Sequence, residues 1–352
     1  MEQLVFAFEL TARETEQIAE QIRLQNKKSE KKSSDDYIPA TSTEKRGFFS
    51  RFRQSVDEFN SCFEKGIEKD TDKAIVILKQ EAAKGLPYAQ NNLGGCYYNG
   101  RGVERNYDEA FKLFKSAAAK GEVNAQYNLG NCYAEGHGTK LDYSEAVKWY
   151  KKAADQSDVD AQYALAQCYE MGQGVPVDDK KAFVWYKKAA AKGHVEAQGC
   201  LALFYHYGRG TNQDKKEAFK WYKKAAEQGD ITGQYGLAYC YEEGIGTAQD
   251  YKKALAWYTK AAEQGYGGAM LALGNMYVRA QGVERDLDEA FKWFMKGAEL
   301  GHSGCQYTVG GFYLKGYSVE KNLVEAKKWY EKAMEQGDEQ AREMLKKIDQ
   351  EQ

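Results

Sequence analysis

Residues 125–138 read AQYNLGNCYAEGHG, and residues 142–154 read DYSEAVKWYKKAA. In the first stretch Ala125, Leu129 and Cys132 lie four and three residues apart, which is the spacing of one face of an α-helix. The second stretch has its own apolar stripe, formed by Ala146, Trp149 with Tyr150, and Ala153. The sequence therefore predicts two amphipathic helices in succession.

The short segment between the two helices has the residues of a tight turn. Gly136 and Gly138 can adopt the positive φ that a helix C-cap and a turn require. Asp142 or Ser144 can then cap the second helix, because both side chains accept hydrogen bonds from free N–H groups. A further Gly closes most units: Gly121, Gly193, Gly229, Gly265, Gly301 and Gly337. Each unit is therefore predicted to be a helix-turn-helix hairpin.

This hairpin recurs along most of the chain at a constant step of 36 residues. One column is always tyrosine: Tyr97, Tyr133, Tyr169, Tyr205, Tyr241, Tyr277 and Tyr313. A second is always alanine: Ala110, Ala146, Ala182, Ala218, Ala254, Ala290 and Ala326. All six Trp share a third: Trp149, Trp185, Trp221, Trp257, Trp293 and Trp329. One hairpin cannot bury its own apolar face, so neighbours must stack, and we predict an all-α fold, an α-solenoid.

Two features of the columns lead to structural expectations. We expect the rings of the tyrosine column to pack between helices, with each hydroxyl bonded to a backbone acceptor. Ser157, Gly233, Ala280 and Ser318 depart from their columns, so the array is irregular mainly in its later copies. We expect a bend or a partner contact there.

The two quoted stretches resemble the Sel1-like repeat, a relative of the tetratricopeptide repeat, and the resemblance extends over about four fifths of the chain. It implies a right-handed superhelical scaffold that binds proteins. A cysteine-rich branch of the family has a disulfide inside each repeat. This chain has at most one Cys per repeat, so the features of that branch, including secretion, are not expected.

The organisation predicted from these patterns has four parts. They are an N-terminal segment with a disordered linker (1–46), a degenerate N-terminal capping repeat (47–87), seven full repeats (88–339) and a C-terminal capping helix (340–352). The linker is expected from its polar composition. The segment that precedes it could fold back into the groove of the solenoid, serve as a docking tag, or be unstructured alone.

Four phenylalanines and a valine recur at helical spacing near the N-terminal end of the array: Phe49, Phe52, Val56, Phe59 and Phe63. One interpretation is an amphipathic helix that touches a membrane, helped by neighbouring arginines. The other is a stripe that packs on the first full repeat. We favour packing, because the downstream half of the stripe coincides with the repeat columns.

Charge and cysteine content exclude several classes. Fifty Lys and Arg against 52 Asp and Glu give a net charge of −2, whereas a general nucleic-acid binder normally has a basic excess. No stretch reaches the roughly 18 apolar residues that span a bilayer. The seven Cys are dispersed, with no pair at disulfide-framework or zinc spacing, and the chain starts without a secretory signal. We therefore expect a cytoplasmic protein with reduced thiols.

No catalytic constellation is recognisable in the sequence. The four His (His137, His194, His206 and His302) fall in three different columns of the repeat. Glycine pairs such as that around Arg101 recur in most repeats, which favours turns over a phosphate site. We expect no catalytic residue, no cofactor and no metal ion, and no enzymatic activity; an enzyme of unknown type is the least favoured alternative.

The part of the first helix that is not used for packing remains as a candidate site. By the resemblance, this face lines a concave groove whose residues vary between repeats. The residues that we expect to contact a partner are Tyr127, Asn131, Tyr163, Gln167, Tyr235, Tyr239, Asn275 and Tyr307. Tyr and Asn on a rigid scaffold give contact area and hydrogen bonds at little entropic cost. The predicted function is a scaffold or adaptor that binds a peptide or protein on this face; the alternative is a peripheral membrane-recruited adaptor that uses Phe49 and Phe52.

Overall fold

The computed structural model describes residues 71–350, and this part of the chain contains helices and no strands. A leading helix, α1 (Thr71–Ala83), precedes seven hairpins. Their first helices are α2 (Pro87–Asn99), α4 (Val123–Glu135), α6 (Val159–Met171), α8 (Val195–Tyr207), α10 (Ile231–Glu243), α12 (Gly267–Arg279) and α14 (Ser303–Lys315). Their second helices are α3 (Tyr107–Ala119), α5 (Tyr143–Asp155), α7 (Asp179–Ala191), α9 (Lys215–Glu227), α11 (Tyr251–Glu263), α13 (Leu287–Glu299) and α15 (Leu323–Glu335). The final helix is α16 (Glu339–Gln350), and consecutive helices pack on one another throughout, which makes the fold an α-solenoid.

The turn inside each hairpin is fixed by the residue that caps the second helix, which accepts one hydrogen bond and donates another. The Asp142 carboxylate accepts from the backbone N–H of Glu145 at 3.0 Å, so Asp142 is the N-cap of α5. Its own N–H donates to the carbonyl of Tyr133 at 2.9 Å, which ties the turn to the end of α4. Ser144 instead donates to the Gly174 carbonyl in the next hairpin. Of the two candidate caps in the sequence, Asp142 has this role.

The second glycine of the turn is required by both conformation and space. Gly138 has φ of +68°, and a Cβ there would overlap the carbonyl oxygen of Tyr107 in the preceding hairpin. Where the glycines of the column pattern are replaced, Ser157, Ala280 and Ser318 still have φ of +73°, +56° and +55°. The local backbone conformation is therefore retained at the cost of strained side-chain-bearing residues.

The core forms between hairpins as much as within them. The invariant alanine column is fully buried, and the neighbouring clusters each combine a second helix with first helices on both sides. In one of them, Ala153 of α5 packs with Ala161 and Leu165 of α6, and Trp185 of α7 covers the edge. Each hairpin thus completes the core of its neighbour, as stacking requires.

A buried glutamine column links consecutive hairpins through polar contacts that the sequence analysis missed. Gln198 donates to the Ala190 carbonyl of α7 at 3.3 Å, and its side-chain oxygen accepts from Gln228 at 2.7 Å. The side chains that share this position are Gln90, Gln126, Gln162, Gln234 and Gln306. In the remaining repeat the position holds Met270, which is fully buried. Because buried amides need partners, this column specifies the register between helices.

The invariant tyrosine column corrects one expectation. Its rings are half-buried, and several pack edge-on against a phenylalanine of the preceding second helix, as Tyr205 does against Phe183 at 5.2 Å and 89°. From Tyr133 to Tyr313 no hydroxyl of the column bonds to a backbone acceptor within the described residues. The fully buried ring is instead the tyrosine of the second helix, such as Tyr186, whose hydroxyl donates to Glu170 at 2.5 Å. The backbone carbonyl of each column tyrosine accepts the hydrogen bond of the turn, and its ring covers the junction between hairpins.

Candidate functional site

The hairpins arrange their helices in two layers, one of first helices and one of second helices. The most extensive contacts between non-consecutive helices join first helices, α8 with α10 and α12 with α14. Side chains also bond directly between first helices, as Asn128 does to Asn91 at 2.9 Å. First helices of neighbouring hairpins therefore approach one another closely in this layer. We call the solvent-facing side of α2, α4, α6, α8, α10, α12 and α14 the first-helix surface.

One set of expected contact residues lies on this surface but is partly occupied by packing. Tyr127, Tyr163, Tyr235 and Tyr307 are half-buried. Each ring is tilted against the tyrosine of its own second helix, with centroids 5.9, 5.8, 5.4 and 5.4 Å apart. Tyr163 also stacks on His194 at 4.3 Å. These rings are therefore partly covered by the packing of their own hairpins.

The second set occupies the next position along the same face. Asn131 is buried and accepts a hydrogen bond from the Tyr150 hydroxyl at 2.7 Å. Gln167 donates to the hydroxyl of Tyr163 at 3.1 Å. Tyr239 and Asn275 are half-buried on α10 and α12. Of the residues expected from the sequence, Asn131 is the least accessible.

Four tyrosines lie together on the first-helix surface, and we call them the tyrosine cluster: Tyr207, Tyr235, Tyr239 and Tyr266. Tyr207 is 43% exposed and Tyr266 is 41% exposed. The rings of Tyr235 and Tyr266 meet edge-to-face, with centroids 4.9 Å apart. Burial raises the pKa of Tyr239 to about 12, so this phenol keeps its proton at physiological pH.

Tyr207 and Tyr266 were absent from the sequence-based set, because neither belongs to a column of tyrosines. Tyr207 ends α8 at a position that holds Met171 in α6 and Glu243 in α10. Tyr266 precedes α12 at the N-cap position and makes no side-chain cap bond, whereas Asp230 caps α10 at the equivalent place. The sequence did contain a signal for both residues. Each is a tyrosine at a position where the neighbouring repeats have a different residue, at the helix end for Tyr207 and at the N-cap for Tyr266.

A histidine whose ring nitrogen Nδ1 has no hydrogen-bond partner in the described structure lies within the tyrosine cluster. His206 is 8% exposed, and its Nδ1 bonds to no group in the described part of the chain. Its ring centroid is 4.6 Å from that of Tyr207 and 6.0 Å from that of Tyr239. Burial lowers the pKa of His206, with a smaller effect from the positive charge of Lys215, so the imidazole is neutral at pH 7.

Other buried polar atoms without partners also fall on first helices. Among the described residues they include Asn131 Nδ2, Gln162 Oε1 and Asn275 Oδ1. Two of these belong to the expected contact set. Trp329 Nε1 on α15 and Gln281 Oε1 in a turn are also buried without a partner in the described structure, so such atoms are not confined to the first helices.

The two layers carry opposite charge in the middle of the array. From α4 to α10 the first helices and their N-caps hold no Lys or Arg, and their acidic residues are Glu122, Glu135, Asp158, Asp160, Glu170, Glu196, Asp230, Glu242 and Glu243. The second helices of the same repeats are rich in lysine, including Lys187 and Lys188 of α7. In a chain of net charge −2, this segregation gives the first-helix surface a negative potential.

Burial alters the protonation of some of these acidic groups. Burial raises the pKa of Asp230 to about 6, and the nearby charge of Glu196 adds to the effect. Burial also raises the pKa of Glu242, opposed by a hydrogen bond from the Tyr258 hydroxyl and by the charge of Arg279. Glu243 is exposed and forms no ion pair within the described residues. Glu243 is therefore a free negative charge beside the tyrosine cluster.

The aromatic rings of the second helices are, by contrast, already covered. Each tryptophan has the ammonium group of the lysine three residues later over its ring: Lys152, Lys188, Lys224, Lys260, Lys296 and Lys332. The distances from ammonium to ring centroid run from 3.7 to 5.2 Å. Neither Tyr239 nor Tyr266 has a cation over its ring among the described residues. The exposed lysines of this layer are thus held against their own helix.

The cysteines of the described region have raised pKa values, and no cluster of metal-ligating residues is found there. Burial raises the pKa of Cys96 to about 11 and of Cys132 to about 12, so these thiols are poor nucleophiles at neutral pH. Between residues 71 and 350 no group of His, Cys, Asp or Glu could hold a metal ion. Over the same range, no helix is long and apolar enough to cross a membrane.

Comparison with known proteins gives a consistent result. The Sel1 repeat model matches eight times, at residues 61–85, 87–122, 123–158, 159–194, 195–230, 231–266, 268–302 and 303–338. A protective antigen of uropathogenic Escherichia coli with an SLR fold, c5321, is 34% identical with a TM-score of 0.71, over 89% of this chain and 67% of that one. A Sel1 repeat protein from Oxalobacter formigenes is 30% identical with a TM-score of 0.66, over 90% of this chain and 96% of that one. Among curated proteins, none matches the sequence.

Proposed function

The chain belongs to the Sel1 repeat family, and from that premise we propose that it is a non-enzymatic scaffold or adaptor that binds a peptide or protein segment on its first-helix surface. The observation that carries the proposal is the tyrosine cluster. Tyr207 and Tyr266 leave much of their rings in solvent on the first-helix surface. Asn275 and His206, on the same layer of helices, have polar atoms without partners in the described structure. Exposed tyrosines on a rigid frame are typical of recognition surfaces.

The structure changes which residues an experiment should target. Tyr163 and Tyr235 pack against second-helix tyrosines, so truncating them would also disturb the fold. Tyr207 and Tyr266 are the better choice, because truncating an exposed ring leaves the core intact. A matched control is the pair Val184→Ser and Val324→Ser, since both valines are exposed on second helices.

The test is selection of binders from a random short-peptide library on the immobilised full chain. Enriched peptides would then be titrated by fluorescence anisotropy against the parent protein, the Tyr207→Ser/Tyr266→Ser variant and the valine control. The proposal predicts that the tyrosine variant loses at least about tenfold in affinity, as loss of aromatic anchors does, while the control binds like the parent. Peptides that bind the tyrosine variant as tightly as the parent would place recognition elsewhere and contradict the proposal.

Two further aspects of the proposal concern compartment and localisation. We place the protein in the cytoplasm because the cysteines of the described region are free thiols, which suits a reducing environment. The alternative of membrane recruitment rests on Phe49 and Phe52, which lie outside the described residues, as do the linker and the N-terminal segment. The described part of the chain offers no observation that favours that alternative.

A further inference from the structure

We propose that the partner segment is basic, and that a Lys or Arg side chain of another protein is recognised between the tyrosine cluster and the acidic end of α10. This inference rests on the proposed function and specifies the partner class for the same surface. It depends on three independent observations, which are the accessible aromatic rings, the charge of the surrounding layer and a buried group that lacks a partner.

The aromatic rings supply the first part of the site. A cation over the face of a tyrosine is attracted by the negative potential of the ring, and the attraction grows when water is excluded. This chain uses the same interaction on its second helices, where each tryptophan has a lysine ammonium over it, as Trp149 has Lys152 at 3.7 Å. Tyr239 and Tyr266 have no such cation within the described residues. They are the aromatic faces that an incoming cation can use.

The charge of the layer supplies the second part. Four consecutive first helices and their N-caps hold acidic residues without any Lys or Arg, and Glu243 is exposed with no ion pair among the described residues. Three cations of the described region lie near the cluster, and one of them, Lys215 at the start of α9, is exposed and close enough to His206 to lower its pKa. Arg209 is held by Glu170 at 2.6 Å and by Asp179 at 2.7 Å, and Arg279 is at the end of α12 beside Glu242. The field around the cluster therefore favours a positive partner and disfavours an acidic one.

His206 supplies the third part. Its ring lies against Tyr207 and Tyr239, nine-tenths buried, with Nδ1 unbonded in the described structure. A neutral imidazole can accept a hydrogen bond from a guanidinium or ammonium group, whereas a protonated one would repel it. Because burial lowers the pKa of His206, the accepting form is present at neutral pH. An N–H group from a basic partner would satisfy this atom.

The experiment compares charge variants of the full chain against peptides that have been selected on it. Each peptide would be made in three forms, with its own basic residues, with Gln in their place and with Glu in their place. Binding would be measured by fluorescence anisotropy at low and at high salt. The protein variants are Glu243→Gln and Glu243→Lys, with Glu263→Lys as the control, because Glu263 is exposed on the second helix α11 and has no ion pair within the described residues.

The inference predicts that selected peptides are enriched in Lys and Arg and that the Gln form binds at least about tenfold more weakly. Affinity should also fall with salt and decrease in the order parent, Glu243→Gln, Glu243→Lys, while Glu263→Lys binds like the parent. Selected peptides that lack basic residues, or basic peptides that bind Glu243→Lys as tightly as the parent, would overturn it. Either result leaves the proposed function standing if the Tyr207→Ser/Tyr266→Ser variant still loses binding, so the two failures are distinguishable.

Discussion

At the scale of single residues, the two tyrosine columns differ in how much of the ring is buried. Tyr186 on α7 is 1% exposed, packs against Phe204 and donates a hydrogen bond to Glu170. Tyr169 on α6 is half-buried, with the Lys181 ammonium 5.2 Å from its ring centroid. Invariance within the chain therefore does not measure burial. The invariant column anchors a turn, and the less regular column fills the core.

Alanine substitution in the two columns should separate these roles. We expect Tyr186→Ala to cost about 3–5 kcal/mol of unfolding free energy, since it leaves a large cavity and removes the hydrogen bond to Glu170. Tyr169→Ala should cost only about 1–2 kcal/mol, because its ring is partly in solvent. Urea denaturation followed by circular dichroism measures both values. Equal losses would show that the half-buried ring is a core residue after all.

A buried acid gives a prediction about pH. Asp230 caps α10 while being buried, and burial raises its pKa to about 6 from the 3.8 of a solvated aspartate. The folded state therefore binds a proton more tightly than the unfolded state, and stability falls as pH rises from about 4 to about 6. Asn caps helices equally well and has no charge to bury.

The Asp230→Asn variant should accordingly have a flatter dependence of stability on pH. Between pH 4 and pH 7 its free energy of unfolding should rise by roughly 1–3 kcal/mol relative to that of the parent, because the variant has no buried charge to destabilise it. Urea midpoints at the two pH values would measure the difference. Parallel pH profiles for the two proteins would mean that Asp230 titrates as a solvated acid.

At the scale of helices, one junction shows how paired substitutions preserve packing. Where α13 meets α14, Gly297 replaces an alanine column and Cys305 replaces a second one. A Cβ at Gly297 would come within 2.5 Å of the Cys305 sulfur, so the glycine makes room for the larger side chain. The two departures from the repeat pattern therefore compensate one another.

A double-mutant cycle tests this compensation. Gly297→Ala alone should destabilise the protein by about 1–3 kcal/mol through overpacking, and Cys305→Ala alone should cost less than that by leaving a small cavity. The double variant restores the alanine pair of the other repeats and should be close to the parent in stability. Purely additive effects of the two substitutions would show that they do not touch in solution.

The helices and their junctions also differ in how far the sequence could predict them. The hairpins, turns and caps could be predicted from the 36-residue repeat and from residue type. The spacing of Ala indicates helix faces, Gly indicates turns, and Asp indicates helix N-caps. The glutamine column escaped notice, since Gln reads as a surface residue until a carbonyl such as that of Ala190 is placed beside it. Tyr207 and Tyr266 escaped for a similar reason, because helix ends become neighbours only after stacking. How deeply the expected contact residues are buried also depends on packing between helices, which the sequence does not show. Asn131 is an example, because it is buried.

At the scale of the whole molecule, the array is built from units that contact only their neighbours. The most extensive helix contacts in the described region join consecutive elements or adjacent first helices. Stability in such an array is the sum of repeat and junction contributions. Removing one whole repeat should therefore leave a foldable chain.

Deletion of residues 159–194 tests this prediction. The deletion joins Asp158 to Val195, so a good N-cap precedes α8, and we expect an unchanged helical signal per residue with cooperative unfolding. Deletion of residues 159–178 is the control, because it removes α6 and its turn and leaves α7 without its partner. Loss of helical structure in the whole-repeat deletion would mean that the hairpins depend on long-range contacts.

If the first-helix surface holds the partner at the tyrosine cluster, a cross-linking group placed there should capture it. The most direct measurement places a photo-crosslinking amino acid at Tyr266 in one variant and at Val184 in another, in the full chain, and irradiates each with a selected peptide. Both side chains are exposed, at 41% and 48%, but they lie on opposite layers. We expect a cross-link from position 266 that excess unlabelled peptide suppresses, and no cross-link from position 184. A suppressible cross-link at Val184 with none at Tyr266 would contradict this expectation.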